Sequence, residues 1–320
     1  MTVAAPYDEW FGPDAFDATY GHDLAALSRV GAPDEPAGFA EFWTGLYERA
    51  RDVDTAPAVR PVRGRPGHYD VEFTSLDGVR LGGWLVLPPD GAAERALVVG
   101  HGYGGRAEPE LDLVGPGTAA LFAASRGLPT RGLVPGIPPV GAEHVLHGIE
   151  SVETYVHGGC AADVWCAASA LLDLLPEPPA RLGYVSSSFG GGIGALALPW
   201  DDRFDGGALH VPSFGNHDLR LTMPCTGSGE AVRHHIAGHP RAREVLRFFD
   251  AATAARRLRI PMVVAPALWD PAVPPPGQFA VHNAIPGRKE LVVFAAGHAD
   301  YPGKAADTER YLAAVRVLVG

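Results

Sequence analysis

Tyr184-Val185-Ser186-Ser187-Ser188-Phe189-Gly190-Gly191-Gly192 runs an apolar strand into a turn of small residues, and Ile193-Gly194-Ala195-Leu196-Ala197-Leu198 continues it as a helix. A sharp strand-to-helix turn is the setting in which a serine is lifted out of a sheet as a nucleophile. The turn strains the backbone of its central residue, so the residues two before and two after it must be small. That requirement selects among three serines. Ser186 has Tyr184 two places before it, and Ser187 is flanked by Val185 and Phe189. Ser188 has Ser186 before and Gly190 after, and alone satisfies the rule. A Ser/Gly-rich loop opening a helix would look the same over these nine residues, so the rest of the chain decides.

Working outward, short apolar runs recur at 96–99, 182–185, 206–211, 261–268 and 290–295. Helix-like stretches at 117–125, 153–175, 190–199, 241–257 and 306–318 separate most of them. Buried strands alternating with helices predict an α/β architecture, a mostly parallel sheet covered by helices on both faces. Ahead of it, residues 69–73 and 81–87 with Asp77-Gly78 between them predict a β-hairpin. Phe39, Phe42, Trp43, Leu46, Tyr47 and Ala50 recur at helical spacing. Residues 1–35 read as an irregular arm and 56–67 as a connector. The expected organisation is one domain over 1–320, with 1–68 an arm and helix and 69–320 a catalytic core. Residues 127–148 and 212–240 are candidates for a lid or pocket wall.

Composition bounds the function. The chain has 320 residues, 47% hydrophobic and 20% charged, and carries a formal charge of −11. That balance is globular, and its acidity argues against a nucleic-acid partner. The lysines are Lys289 and Lys304, and no phosphate-cradling Gly-Lys loop occurs. Cys160, Cys166 and Cys225 form neither a disulfide framework nor a metal pattern. The first basic residue is Arg29, so no signal peptide is expected, and Asp163 and Asp173 break the longest apolar segment. A cytoplasmic protein with no membrane partner is the expectation.

An activated serine needs a base, and the base needs an orienting carboxylate. In α/β-hydrolases these follow in the order Ser, Asp or Glu, His, on loops after late strands. Asp270 follows the run at 261–265, and His298 follows the run at 291–294. Singly, each is an ordinary loop residue; in this order and context, Ser188, Asp270 and His298 are the expected catalytic triad. An oxyanion hole would take one amide from Phe189 and the other from Tyr103, in the glycine-rich loop His101-Gly102-Tyr103-Gly104-Gly105.

These residues resemble the acetyl xylan esterase/cephalosporin C deacetylase family of α/β-hydrolases. The likeness spans about residues 36 to 302. It includes Phe39-Ala40-Glu41-Phe42-Trp43, His101-Gly102-Tyr103 with Gly105-Arg106, and Ser188 with Gly190-Gly191-Gly192. It also includes Phe249-Asp250 with Ala254-Ala255-Arg256, Asp270 with Pro274-Pro275, and His298. The resemblance implies a cofactor-free serine esterase that removes acetyl groups from sugars or small molecules, and members that form homo-oligomers. The chain departs from the family pattern at Leu133 and Phe189, where glutamine is usual, and at Ala299, where glutamate is usual. Leu133 and Phe189 imply a more apolar pocket.

Leu133, His210 and Pro212 are expected to bind substrate, with structural packing the alternative for His210 and its neighbour His217. His234, His235 and His239 have spacing that a zinc site would use, but no acidic helper lies in the motif and Gly238 weakens a helix there. A solvated basic face is the expected reading, with no metal. A thioesterase, a peptidase and an inactive binding protein on the same fold remain the rivals to a short-chain esterase.

Overall fold

The computed structural model describes residues 5–13, 15–89 and 92–319. One mixed sheet organises them. Its strands are β1 (Ala58–Pro61), β2 (His68–Thr74), β3 (Arg80–Val86), β4 (Arg95–Val99), β5 (Thr118–Ala123), β6 (Arg181–Ser187), β7 (Gly206–His210), β8 (Met262–Ala265) and β9 (Lys289–Leu291). Their order is β1-β2-β3-β5-β4-β6-β7-β8-β9. The pairs β1/β2, β2/β3 and β3/β5 are antiparallel, and every pair from β5 to β9 is parallel.

The helices in chain order are α1 (Tyr7–Phe11), α2 (Leu24–Leu27), α3 (Phe39–Arg51), α4 (Gly141–His144), α5 (Val156–Leu174) and α6 (Ser188–Ala197). Then follow α7 (His217–Arg220), α8 (Ser228–Gly238), α9 (Ala242–Phe248), α10 (Ala251–Ala255), α11 (Pro275–Ala284) and α12 (Lys304–Val319). Successive strand residues point to opposite faces of a sheet. Val98, Leu121 and Tyr184 accordingly pack into one core with α3, α5 and α6. Val99, Phe122 and Val185 pack into a second core with α12 and partly buried Tyr7 and Trp10. This is the α/β-hydrolase arrangement, helices on both faces of a mostly parallel sheet.

The hairpin forms where expected, and Asp77 and Gly78 both take positive φ, of 64° and 73°, at its turn. Four local expectations are corrected. Residues 118–123 are not helical: Thr-Ala-Ala-Leu-Phe-Ala is buried at every position and forms β5 between β3 and β4. A short apolar run rich in alanine does not distinguish a buried strand from a buried helix, and the parallel pairing with β4 decides it. The connector at 56–67 supplies β1, so the sheet begins at Ala58. The 241–257 helix is broken at Phe249-Asp250, where buried Asp250 accepts Thr253 N–H at 2.9 Å and caps α10. The segment 212–240, expected to be irregular, contains α7 and α8.

Asp163 interrupts the apolar helix α5 for a structural reason. Its carboxylate meets the Arg126 guanidinium at 2.8 Å, with both side chains buried. Ser75 Oγ–H donates to it at 2.6 Å and Arg126 N–H at 2.9 Å, while Arg126 also reaches Leu76 C=O. The pair ties the first hairpin to α5 and to the exit of β5. Removing one member of a buried ion pair strands the other charge. Asp163→Ala is therefore expected to lower the unfolding free energy by about 3–5 kcal/mol, read from the midpoint and slope of a urea titration.

Candidate active site

The turn from β6 into α6 places Ser188 at φ 54°, a left-handed conformation that a residue with a Cβ rarely adopts. The reversal is tight because Gly190 lies on the oxyanion loop: its N–H donates to His101 C=O at 3.1 Å. A Cβ on Gly190 would stand 2.7 Å from that same oxygen. The elbow register read from residue size thus has a direct spatial cause.

The geometry joins the three residues that strand order selected. His298 Nε2 lies 2.8 Å from Ser188 Oγ, and His298 Nδ1 lies 2.8 Å from Asp270 Oδ2. Asp270 is 0% exposed. Its Oδ1 accepts the N–H groups of Ala272 at 2.9 Å and Val273 at 3.0 Å. Gly297 makes room for the carboxylate, since a Cβ there would stand 2.9 Å from Asp270 Cγ. Burial disfavours the His298 imidazolium, but the hydrogen bond that it donates to Asp270 and the charge of that carboxylate outweigh burial, so His298 titrates above its ordinary value.

Two supports escaped sequence reading. Gln278, buried in α11, donates to Asp270 Oδ2 at 2.8 Å and accepts Ala267 N–H at 2.8 Å. The N-terminal arm also reaches the same loop. Asp270 N–H donates to Ala18 C=O at 3.1 Å, and Phe11 stacks on Trp269 with ring centroids 3.9 Å apart. Trp269 therefore packs against the arm. Nothing in the spacing of Gln278 or Ala18 marks these contacts, because they depend on how α11 folds back on the Asp270 loop and on the arm reaching it from the other end of the chain.

The loop after β4 is held rigidly. His101 Nε2 accepts Ser125 N–H at 3.0 Å, and Nδ1 lies 2.8 Å from Gly102 C=O. Burial pushes the His101 pKa down to about 4, so the ring is neutral and donates from Nδ1. Arg106 donates to Val99 C=O at 3.0 Å and to Gly100 C=O at 2.7 Å. Within the described residues the Tyr103 amide takes no part in the backbone hydrogen bonds of this loop. Phe189 is the second residue of α6, where a helix leaves its N–H without an internal partner. Both amides thus keep bonding capacity to spare.

A cavity of about 600 Å³ opens on Ser188 and His298. Residues from both expected wall segments line it, among them Gly141 and Val145 from the first and Phe214, Arg220 and Val232 from the second. His210 lines it too, packed against Phe294 at 4.5 Å and Tyr311 at 5.5 Å. Burial pushes the His210 pKa down to about 3, so its ring is neutral.

Three pocket expectations are corrected. Pro212 does not line the cavity: Val211 and Ser213 face it, and Pro212 between them turns towards α6, with its Cα 3.2 Å from a Cβ on Gly191. Leu133 is 57% exposed and lies away from the cavity. Its neighbour Arg131 pairs with Asp70 at 2.6 Å and stacks over Trp84 at 4.2 Å, tying this turn to the hairpin instead. The Phe189 ring is fully buried 4.4 Å from Tyr103, so it narrows nothing in the cavity.

The histidine group at 234–239 does not converge. His234 Nε2 pairs with Glu230 at 3.0 Å, whereas His235 and His239 stack on each other at 4.2 Å. None of the three lines the cavity.

The sheet order and the serine turn define the class, an α/β-hydrolase. A family model described as acetyl xylan esterase (AXE1) matches residues 27–313, and the chain belongs to that family. It is a carboxylic ester hydrolase. An acetyl xylan esterase from Paenibacillus sp. R4 superposes with a TM-score of 0.76 at 23% identity, covering 92% of this chain and 99% of that one. Acetyl xylan esterase 1 from Thermoanaerobacterium sp. JW/SL YS485 gives 0.75 at 20% identity with the same coverage. An uncharacterised protein of Mycobacterium tuberculosis strain H37Rv is 27% identical over 264 residues, 80% of this chain and 82% of its own length. No helix among the described residues is long and apolar enough to cross a membrane.

Because Asp270 is what raises the His298 pKa, Asp270→Asn should lower it. Nitrogen-15 NMR titration of the imidazole in both proteins measures the shift, and an unchanged pKa would contradict the coupling.

Proposed function

We propose that this esterase hydrolyses short-chain esters, acetyl above all, of a sugar or small metabolite through a Ser188–His298–Asp270 triad and an acyl-enzyme. One observation carries the reading: the 2.8 Å contacts from Ser188 Oγ to His298 Nε2 and from His298 Nδ1 to Asp270 open onto a cavity beside the oxyanion loop. Ser188 Oγ attacks the ester carbonyl as its proton passes to His298 Nε2. Asp270 fixes the tautomer that leaves Nε2 free to accept it and stabilises the imidazolium. The amides of Tyr103 and Phe189 receive the oxyanion. His298 then returns the proton to the departing alcohol oxygen. Water, deprotonated by the same imidazole, attacks the acyl carbon and releases the acid and the free serine. No step calls on a cofactor or metal.

Ser188→Ala should reduce ester turnover by about 10³-fold or more, while Ser186→Ala and Ser187→Ala keep substantial activity. Loss in Ser187→Ala with retention in Ser188→Ala would overturn the assignment. Paired acetyl ester, acetyl thioester and peptide substrates test the reaction class, with the ester expected to win.

The acyl site is expected to be short, because α4 and α8 close over the cavity without a long apolar lid. A buried methylene would gain about 0.8 kcal/mol in an open apolar tunnel and lose more against a wall. Acetyl or propionyl nitrophenyl esters should therefore have the highest kcat/KM, with a steep fall by octanoyl. A steady rise from acetyl to octanoyl would refute this. The pH profile should follow His298: kcat/KM rises as His298 loses its proton, with the acid limb centred above the ordinary histidine value of about 6.5.

A further inference from the structure

The cavity has a second polar wall that the hydrolysis of an ester bond does not use. Arg220, the last residue of α7, lines the cavity and is 9% exposed. Its guanidinium donates to Met223 C=O at 3.1 Å and to Cys225 Sγ at 2.9 Å. Neither partner carries charge, since burial holds the Cys225 thiol protonated. Among the described residues no carboxylate lies within ion-pair distance of Arg220. The acid of this region, Glu230, favours the Arg220 charge only from beyond ion-pair distance, and it is engaged by Arg233, by His234 at 3.0 Å and by Cys225 N–H at 3.0 Å.

The guanidinium also sits against the start of α8. A Cβ on Gly229 would stand 2.8 Å from Arg220 Nε. Gly227, Ser228 and Gly229 line the same part of the cavity, and Gly227 offers no side-chain cap. The first N–H groups of a helix are unpaired and carry its positive dipole end. A buried cation beside that end raises its own electrostatic energy and that of the helix. Burying a charge is costly without a counter-charge. The other cation lining the cavity, Lys304, is paired with Asp300 at 2.6 Å.

We propose that Arg220 and the first turn of α8 form an anion subsite, and that the alcohol part of the natural ester carries a carboxylate. The subsite deepens the esterase reading of the same cavity and presupposes it for the word ester, though not for the anion. A carboxylate there would accept from the unused guanidinium hydrogens and the α8 amides, a charge-assisted pairing that a neutral alcohol cannot make. With a short acyl group near Ser188, the longer, charged portion of the substrate extends towards α8.

The test compares ω-acetoxyalkanoates of two to six carbons with their methyl esters on the wild-type enzyme. For at least one length the free acid should exceed its methyl ester in kcat/KM by about tenfold or more, mainly through KM and less so at high salt. Arg220→Gln should abolish that ratio, and Arg220→Lys should keep part of it. Methyl esters that equal or exceed the acids at every length would overturn the subsite, as would a preference that survives in Arg220→Gln. Calorimetric binding of the same pairs to Ser188→Ala protein separates the two readings. If no ester turns over but the acids still bind better than their methyl esters, the esterase mechanism fails and the anion site stands. If esters turn over and acid and methyl ester bind alike, the reverse holds.

Discussion

Everything at the active site depends on one reversal of the backbone, the left-handed conformation of Ser188 between β6 and α6. It turns a strand buried at the sheet centre into a helix within one residue. The cost of a Cβ at positive φ is of order 1–3 kcal/mol, and the surrounding contacts impose it. Gly190 is pinned to His101 C=O, and the close approach of α6 to β7 and its following loop leaves no space for a Cβ at Gly192 and little at Gly191. The same clasp brings the glycine-rich loop after β4 against Ser188, so that one packing event sets both.

The acid–base side is built on different principles. Asp270 is wholly buried and accepts four hydrogen bonds, from Ala272, Val273, Gln278 and His298. Those donors fix the direction of the carboxylate, and that direction fixes His298. Gln278 belongs to the helix after Asp270, and the arm braces the backbone of Asp270 through Ala18 from a region ahead of the family match at 27–313. The arm is therefore part of the support of the site, although it makes no contact with the reacting atoms.

The cavity between these parts is electrostatically uneven. Two of its three histidines, His210 and His217, are held neutral by burial, with pKa values of about 3 and about 4. Lys304 is neutralised by Asp300. Arg220 alone combines a burial of nine-tenths with neutral partners, and it faces the positive end of α8. Against a net chain charge of −11, this local positive wall stands out.

The sequence by itself determined the parts whose constraint is local. Residue size around Ser188 gave the register of the turn. The apolar runs gave the parallel sheet from β6 to β8, and the loops after late strands gave Asp270 and His298. Short-range chemistry dictates each of these, because a strained turn or a buried strand restricts the residues that occupy it. Tertiary structure decided the rest. Whether Thr118–Ala123 is strand or helix depends on β4 beside it, since alanine and leucine suit both. Whether a residue faces the cavity depends on which side of the chain it occupies: Pro212 and Leu133 fail although both lie in the expected walls, and His210, at the end of β7, succeeds. Gln278, Ala18 and Arg220 carry no motif at all. Their roles arise from how folding turns α11 back onto Asp270, lays the arm across that loop and sets Arg220 against α8, which no residue spacing encodes.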